Sequence, residues 1–366
     1  MQRSTDFSVY TLQRFIGDQL ISDYRVRFCC RVAAFGAQSV SFHLSTDTLK
    51  MRGLMYCSSI WTCPVCSVLI RKNRVAQVQS LFESSIAAGY SLHFVTLTFT
   101  LQHDRKNCDA MITAQSGAWR LMTGSRSYKL WRKQNQIVHY MRALEITHGA
   151  AGWHPHYHLV FASRTQDFDY ASLFQFWTAA VTLQGGVSVL GAQNYQFVQS
   201  TDVLQVAQYT SAWGAGIWNI SSEIVASKTR TRRIGSRTPM QLAADAMMGD
   251  SRSAALFKEY AHATKGMRAN TFSRGWLALI NIDDVSETID PAIVDGELIL
   301  SITTSDFKKL GAYREKFFQA VLIGSFYELQ LVAQLKQISL YNLSHQHFKI
   351  PYSTMVINSG GNYEFL

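Results

Sequence analysis

Residues 152–161, GWHPHYHLVF, alternate in a period of two. That is the period of a β-strand, where side chains at i and i+2 share a face. His156 and His158 therefore point one way, and Tyr157, Leu159 and Phe161 the other. His154 precedes Pro155, which holds it extended and puts it at the strand entrance, apart from the other two as a ligand. Two adjacent imidazoles on a strand face are a ready two-donor metal site. The competing reading is that they hydrogen-bond neighbours at a sheet edge.

Two neighbouring stretches favour the metal reading. RALEITHG, just upstream, is strand-like and turns through GAAG, so a hairpin would bring Glu145 towards the imidazoles as a hard third ligand. Residues 93–100, HFVTLTFT, are β-branched and aromatic, with Val95, Leu97 and Phe99 on one face and Phe94, Thr96 and Thr98 on the other. Two neutral imidazoles and a carboxylate, with positions left open, suit a divalent cation that must also take a phosphate oxygen.

Charge points to a polyanion. The chain of 366 residues has a formal net charge of +10. Residues 281–366 carry ten acidic and six basic side chains, against 15 and 29 in residues 1–280. Such asymmetry fits a nucleic-acid partner for the larger part, although charge alone equally serves solubility. Residues 105–142 hold eight basic side chains and one acid. SKTRTRRIGSRTP contains Lys228, Arg230, Arg232, Arg233 and Arg237 and no acid. It lacks apolar periodicity and reads as a solvated loop suited to phosphate contacts.

Five of the six cysteines lie in residues 1–75. Cys63-Pro-Val-Cys66 has the two-residue spacer that lets both thiolates reach one tetrahedral zinc, and Cys57 lies six residues upstream. Cys29 or Cys30 would complete a four-cysteine site; the expected set is Cys30, Cys57, Cys63 and Cys66, with Cys29 the alternative to Cys30. A redox pair at the start of a helix, or buried free thiols, are the competing readings.

Metal beside basic patches suggests phosphodiester chemistry, which needs a nucleophile. TDVLQVAQYTSAW (201–213) reads as a short helix capped by Thr201, with Val203, Val206, Ala207 and Thr210 inward and Tyr209 on another face. A phenol near pKa 10 reacts only with a polarised phosphate held in line, and a tyrosine here could equally be a packing residue.

With 47% apolar residues, the chain can bury a core. No apolar run reaches about 18 residues, so no membrane span is expected. MQRSTDFSVYTLQRF has no signal-peptide core, so a cytoplasmic protein is expected. Four zones emerge: 1–75, which holds five cysteines; 76–215, which alternates helical and strand patterns and contains the histidines; 216–280, a basic loop followed by amphipathic helices; and 281–366, a less basic, apolar-rich region with a helix in REKFFQAVLIGSFYELQLVAQLKQISL.

The order of cysteines, FVTLTF, HPHYH and a helical tyrosine resembles the plasmid rolling-circle replication initiators of the HUH endonuclease superfamily, named for two histidines flanking a hydrophobic residue. His156-Tyr157-His158 matches that signature. LMYCSSIWTCPVCSVLIRKNR resembles the zinc segment of such initiators, and LEITHGAAGWHPHYHLVF their metal motif with its upstream glutamate. GSRTPMQLAADAMMGD and ALFKEYAHATKGMRANTFSRG resemble the stretch after their tyrosine, so the likeness runs over roughly residues 25–280.

The resemblance implies an α+β fold: a five-stranded antiparallel sheet flanked by helices, an N-terminal zinc segment and a mainly helical C-terminal part. The strand of His156 and His158 would be central, with FVTLTF beside it. It also implies a metal-dependent, site-specific single-strand DNA endonuclease and strand transferase. Tyr209 would attack the plasmid's double-strand origin, keep the 5′ end as a phosphotyrosine, free a 3′-OH primer and later rejoin strands. Mg²⁺ or Mn²⁺ would be held by His156, His158 and Glu145, and Zn²⁺ would be structural. Implied partners are duplex and single-stranded origin DNA, a host helicase and the replication machinery. Relatives often place an acid or second tyrosine one turn before the nucleophile; here Gln205 and Gln208 stand nearby, and Asp202 lies two turns away, about 10.5 Å along a helix. Alternatives are an HUH transposase or relaxase, or a non-catalytic zinc-dependent DNA-binding regulator.

Overall fold

The alternating runs fold as strands, and their partners decide what each face meets. The structure is a computed structural model that describes residues 9–45, 48–101, 107–212, 236–282, 296–348, 355–357 and 363–365. Numbered along the chain, the strands used below are β1 (Ser39–Ser45), β2 (Thr48–Arg52), β3 (Ser91–Leu97), β4 (Thr100–Leu101), β5 (Ile137–Gly149), β6 (Gly152–Ser163), β7 (Gly186–Val187), β8 (Asn194–Val198), β9 (Asn270–Phe272) and β10 (Glu297–Thr303). The helices are α1 (Val9–Phe15), α2 (Tyr24–Phe28), α3 (Pro64–Ala87), α4 (Cys108–Gly124), α5 (Arg126–Gln134), α6 (Tyr170–Leu183) and α7 (Val203–Ala212). Later helices are given by their residues. The chain forms two units, Met1–Ser22 with Ser58–Thr288 and Asp23–Cys57 with Ile289–Leu366.

In the first unit, five strands form one sheet in the order β8-β3-β6-β5-β9. Every neighbouring pair is antiparallel. The expectation from sequence holds here: the histidine strand β6 is central, and the FVTLTF strand β3 lies beside it. β5 and β6 are a hairpin in which Gly149 pairs with Gly152 across a two-residue turn. Gly152 takes φ of 95°, a conformation a side chain would disfavour.

Each sheet face is covered by helices. On one face Leu92 and Phe94 of β3, Met141 and Ala143 of β5, Val160 and Ala162 of β6 and Val198 of β8 form a core. Val78, Leu81 and Phe82 of α3 and Val203, Val206 and Ala207 of α7 complete it, with Trp276 and Leu277. On the other face Val95, Leu97, Tyr157, Leu159 and Phe161 are buried. Trp119 of α4 packs edge-on to Tyr157 at 5.7 Å, and Trp131 of α5 to Phe161 at 5.9 Å. Trp177 of α6 meets Tyr157 at 6.2 Å. Burying such side chains contributes roughly 1.5–3 kcal/mol each, so strands and helices are mutually dependent.

The helix after the basic loop is Pro239–Met247, opened by a capping box in which Thr238 and Gln241 exchange bonds, and Ser251–Ala263 follows. Among the described residues no helix is long and apolar enough to cross a membrane.

In the second unit β10, β1 and β2 form an antiparallel three-stranded sheet. Phe42 of β1 packs against Phe317 and Phe318, each at 5.7 Å. The long helix expected over 314–340 is instead two, Arg314–Leu322 and Phe326–Lys336. The break is at Gly324, where φ is +67° and a Cβ would come within 2.4 Å of the His347 carbonyl oxygen. Apolar spacing runs through that glycine, so periodicity alone conceals the break.

Candidate functional site

The hairpin register sets the first contacts. Glu145 lies opposite His156, and Ala143 opposite His158, so Glu145 shares a sheet face with both imidazoles. Its Oε2 stands 2.8 Å from Nε2 of His158. His158 is 1% exposed, and Thr96, its register partner on β3, places Oγ1 3.2 Å from Nδ1. The rings of His156 and His158 are parallel within 4°, with centroids 6.1 Å apart.

His154 does not stand apart. β6 runs unbroken from Gly152, so all three histidines share one face. Nδ1 of His154 lies 2.7 Å from Nε2 of His156, and Nε2 of His154 lies 3.3 Å from Oγ1 of Thr98. Pro155 is tolerated because pairing with β3 ends at Tyr157, leaving β5 as the ladder partner at that point. The pairing of His154 with His156 is a tertiary arrangement that the Pro155 argument missed. Thr96 and Thr98 were legible as sharing a face with Phe94, and their hydroxyls prove to be hydrogen-bond partners of the histidines.

Tyr209 reaches the same face from α7. Val203, Val206 and Ala207 anchor that helix on the sheet, and Thr210 is buried with its hydroxyl donating to the Val206 carbonyl. The flank of the same helix carries Tyr209, which is 40% exposed. Its ring meets His158 edge-on at 4.8 Å and Phe94 at 5.6 Å. A 3₁₀ turn, Ser200–Asp202, precedes α7, so Thr201 lies in that turn rather than serving as the cap. Gln205 is exposed on α7, while Asp202 accepts a hydrogen bond from Gln196 at 3.4 Å.

Two imidazoles and a carboxylate on one face are a donor set of the right chemistry for a divalent cation. Glu145 and His158 already face each other, whereas Nε2 of His156 lies against Nδ1 of His154. Among the described residues, the one group of three or more donors that converge within 4.8 Å of one another is elsewhere, and it is sulfur.

That group is Cys29, Cys57, Cys63 and Cys66, all buried. Four thiolates are a fitting set for a metal such as zinc. Cys29 stands in the place expected for Cys30, which corrects the expected set. Cys30 takes φ of 55°, and this left-handed turn directs consecutive side chains differently. Local bonds orient the sulfurs: the Cys57 amide donates to Sγ of Cys29 at 3.4 Å. The Cys66 amide donates to Sγ of Cys63 at 3.5 Å, with Cys63 the N-cap and Pro64 the first residue of α3.

Of the basic loop, Lys228, Arg230, Arg232 and Arg233 lie outside the described residues. Arg237 is described, and its guanidinium is engaged: Nη1 lies 2.9 Å from Oδ2 of Asp245 and donates to Ser253 Oγ at 2.8 Å. Asp250 is 3.7 Å away. The backbone of Arg237 exchanges hydrogen bonds with His148 in β5, near the hairpin tip. The alternating basic pattern did not show that Arg237 has acidic partners, because these lie eight and 13 residues downstream.

Among curated proteins, the chain is similar to "Protein rep" of Streptomyces lividans, 30% identical over 32% of this chain and 31% of that protein. It is also 30% identical to a "Neomycin resistance protein" of Streptomyces cyanogenus, over 30% of each. The chain thus spans about a third of the length of the curated relatives it matches. No family model matches, and no solved structure matches.

Proposed function

We propose that this chain is a replication initiator of the rolling-circle, HUH endonuclease type, which nicks one strand of its plasmid origin through Tyr209. The observation that carries the reading is the edge contact between Tyr209 and His158 at 4.8 Å, with His158 bound in turn to Glu145. A half-exposed phenol beside an imidazole–carboxylate pair is what attack on a bulky phosphodiester requires. Similarity to a Rep protein supports the same reading.

In this reading the phenol oxygen of Tyr209 attacks the scissile phosphorus in line and gives up its proton to solvent, which returns one to the leaving oxygen. The P–O3′ bond breaks, the 3′ oxygen takes a proton to become a primer hydroxyl, and the 5′ phosphate stays on Tyr209 as a diester. Because one phosphodiester replaces another, a 3′-OH can reverse the step and rejoin strands. His156, His158 and Glu145 would hold Mg²⁺ or Mn²⁺, which when bound supplies charge stabilisation to the phosphate oxygens. The packing of α7 on α3 and the sheet holds Tyr209 over the histidine face, an orientation worth several orders of magnitude in rate. Gln205, one turn before Tyr209, cannot act as a base, so a hydrolytic termination step would need another proton acceptor. The basic residues Lys228, Arg230, Arg232 and Arg233 would contact backbone phosphates of duplex and single-stranded origin DNA. A host helicase and the replication machinery are the further partners this role calls for.

The test is incubation with a supercoiled plasmid carrying the cognate origin and Mn²⁺. Nicked circles and a protein–DNA adduct, lost in Tyr209→Phe, are expected. DNA retardation without any adduct would replace this reading with that of a non-catalytic DNA-binding regulator.

A further inference from the structure

We infer that Thr96 is a positioning residue of this site: its hydroxyl sets the His158 ring so that Nε2 is presented to Glu145. The inference rests on the nicking reading, and it concerns what holds the imidazole rather than what reacts. Thr96 and His158 are direct register partners on β3 and β6, and Oγ1 lies 3.2 Å from Nδ1. At the far end of the ring, Nε2 lies 2.8 Å from Oε2 of Glu145. An imidazole presents its two nitrogens in fixed relation, so a partner held on Nδ1 also fixes the direction of Nε2. Glu145, as a carboxylate, accepts at Nε2, so in the metal-free ring Nε2 carries the proton and the Thr96 hydroxyl donates to Nδ1; when Nε2 instead turns its lone pair to a cation, the same hydroxyl accepts the Nδ1 proton.

Glu145 holds the ring at Nε2, and aromatic side chains meet the rest of it. Phe94 stacks on His158 at 6.0 Å and 16°, and Tyr209 meets it edge-on. Those contacts restrict sideways movement, whereas the hydrogen bond at Nδ1 comes from Thr96. The next hydroxyl on the same face, Thr98, serves a different histidine, with Oγ1 3.3 Å from Nε2 of His154. Strand-forming tendency alone would accept valine at position 96, which is close in shape and equally β-branched. What valine removes is the oxygen.

The experiment compares full-length wild type, Thr96→Val, Thr96→Ser, Thr98→Val and His158→Ala. Mn²⁺ binding is followed by calorimetry, and the His158 tautomer in metal-free protein by long-range ¹H–¹⁵N NMR. Thr96→Val is expected to weaken the His158-dependent Mn²⁺ site about 10- to 100-fold and to change the tautomer signature. Thr96→Ser should restore both, Thr98→Val should leave the His158 signature in place, and melting temperatures should remain close to wild type. Thr96→Ala replaces the valine variant if the latter does not fold. A wild-type Mn²⁺ site with an unchanged His158 tautomer in the oxygen-free variants would overturn the positioning role alone. A wild type with no His158-dependent Mn²⁺ site would overturn the nicking reading and this inference with it.

Discussion

The ring of Tyr209 meets the ring of His158 edge-on, 4.8 Å between centroids, although 51 positions separate them in the chain. The contact exists because α7 packs its apolar side onto the face of β6 that carries the histidines. Phe94 fills the remaining corner, touching both rings. The geometry makes the chemistry of each partner separately testable.

Glu145→Gln keeps a hydrogen-bond acceptor near His158 and removes the negative charge. Mn²⁺ affinity is expected to fall at least about tenfold, equivalent to about 1.4 kcal/mol, and origin nicking to fall with it. Duplex binding should be little changed, because basic side chains carry that affinity. Calorimetry, a nicking assay and gel retardation measure the three quantities on one preparation.

Purified protein is expected to contain about one equivalent of zinc. Cys66→Ser and Cys29→Ser should lose it, while Cys30→Ser should retain it, since Cys30 is outside the converging group. Elemental analysis decides this, and chelation should lower the melting temperature of the wild type. Zinc retained in Cys29→Ser and lost in Cys30→Ser would reverse the assignment.

Arg237 should behave as a structural arginine. Its partners Asp245 and Asp250 are substantially exposed, so Arg237→Ala is expected to cost no more than about 1 kcal/mol. The slope of log K against log salt for DNA binding should stay at the wild-type value. Arg232→Ala, by contrast, is expected to reduce that slope by about 1. A reduced slope in Arg237→Ala would return it to the DNA-contacting set.

Burial holds the pKa of His93 below the usual histidine value, and its hydrogen bond to the Thr165 carbonyl only partly offsets this. A lowered folded-state pKa means the unfolded chain binds the proton first. The stability contributed by neutral His93 is therefore complete above about pH 6.5 and is lost as pH falls towards the folded-state value. His139 and His148 are shifted the same way by burial and nearby arginines. Urea midpoints at pH 7.5 and 5.5 should differ in the wild type and differ less in His93→Gln. Equal losses in both proteins would show that His93 is not the group responsible.

How much of this could be read from the chain follows the range of the forces involved. Alternation in GWHPHYHLVF and RALEITHG determined the hairpin, and with it which side of the sheet Glu145, His156 and His158 occupy, because strand period and turn chemistry are local properties. The spacing of Cys57, Cys63 and Cys66 was equally local. Tertiary structure decided what depends on distant partners. It selected Cys29 over Cys30 through a left-handed residue, bound His154 to His156, and tied Arg237 to acids further along the chain. It also paired β1 with β10, strands separated by some 250 residues, for which no local pattern could supply a partner. A side chain's face is set by its own backbone, but its neighbour across the core is set by packing of the whole unit, and that is why the hydroxyl of Thr96 acquires a role only in the folded protein.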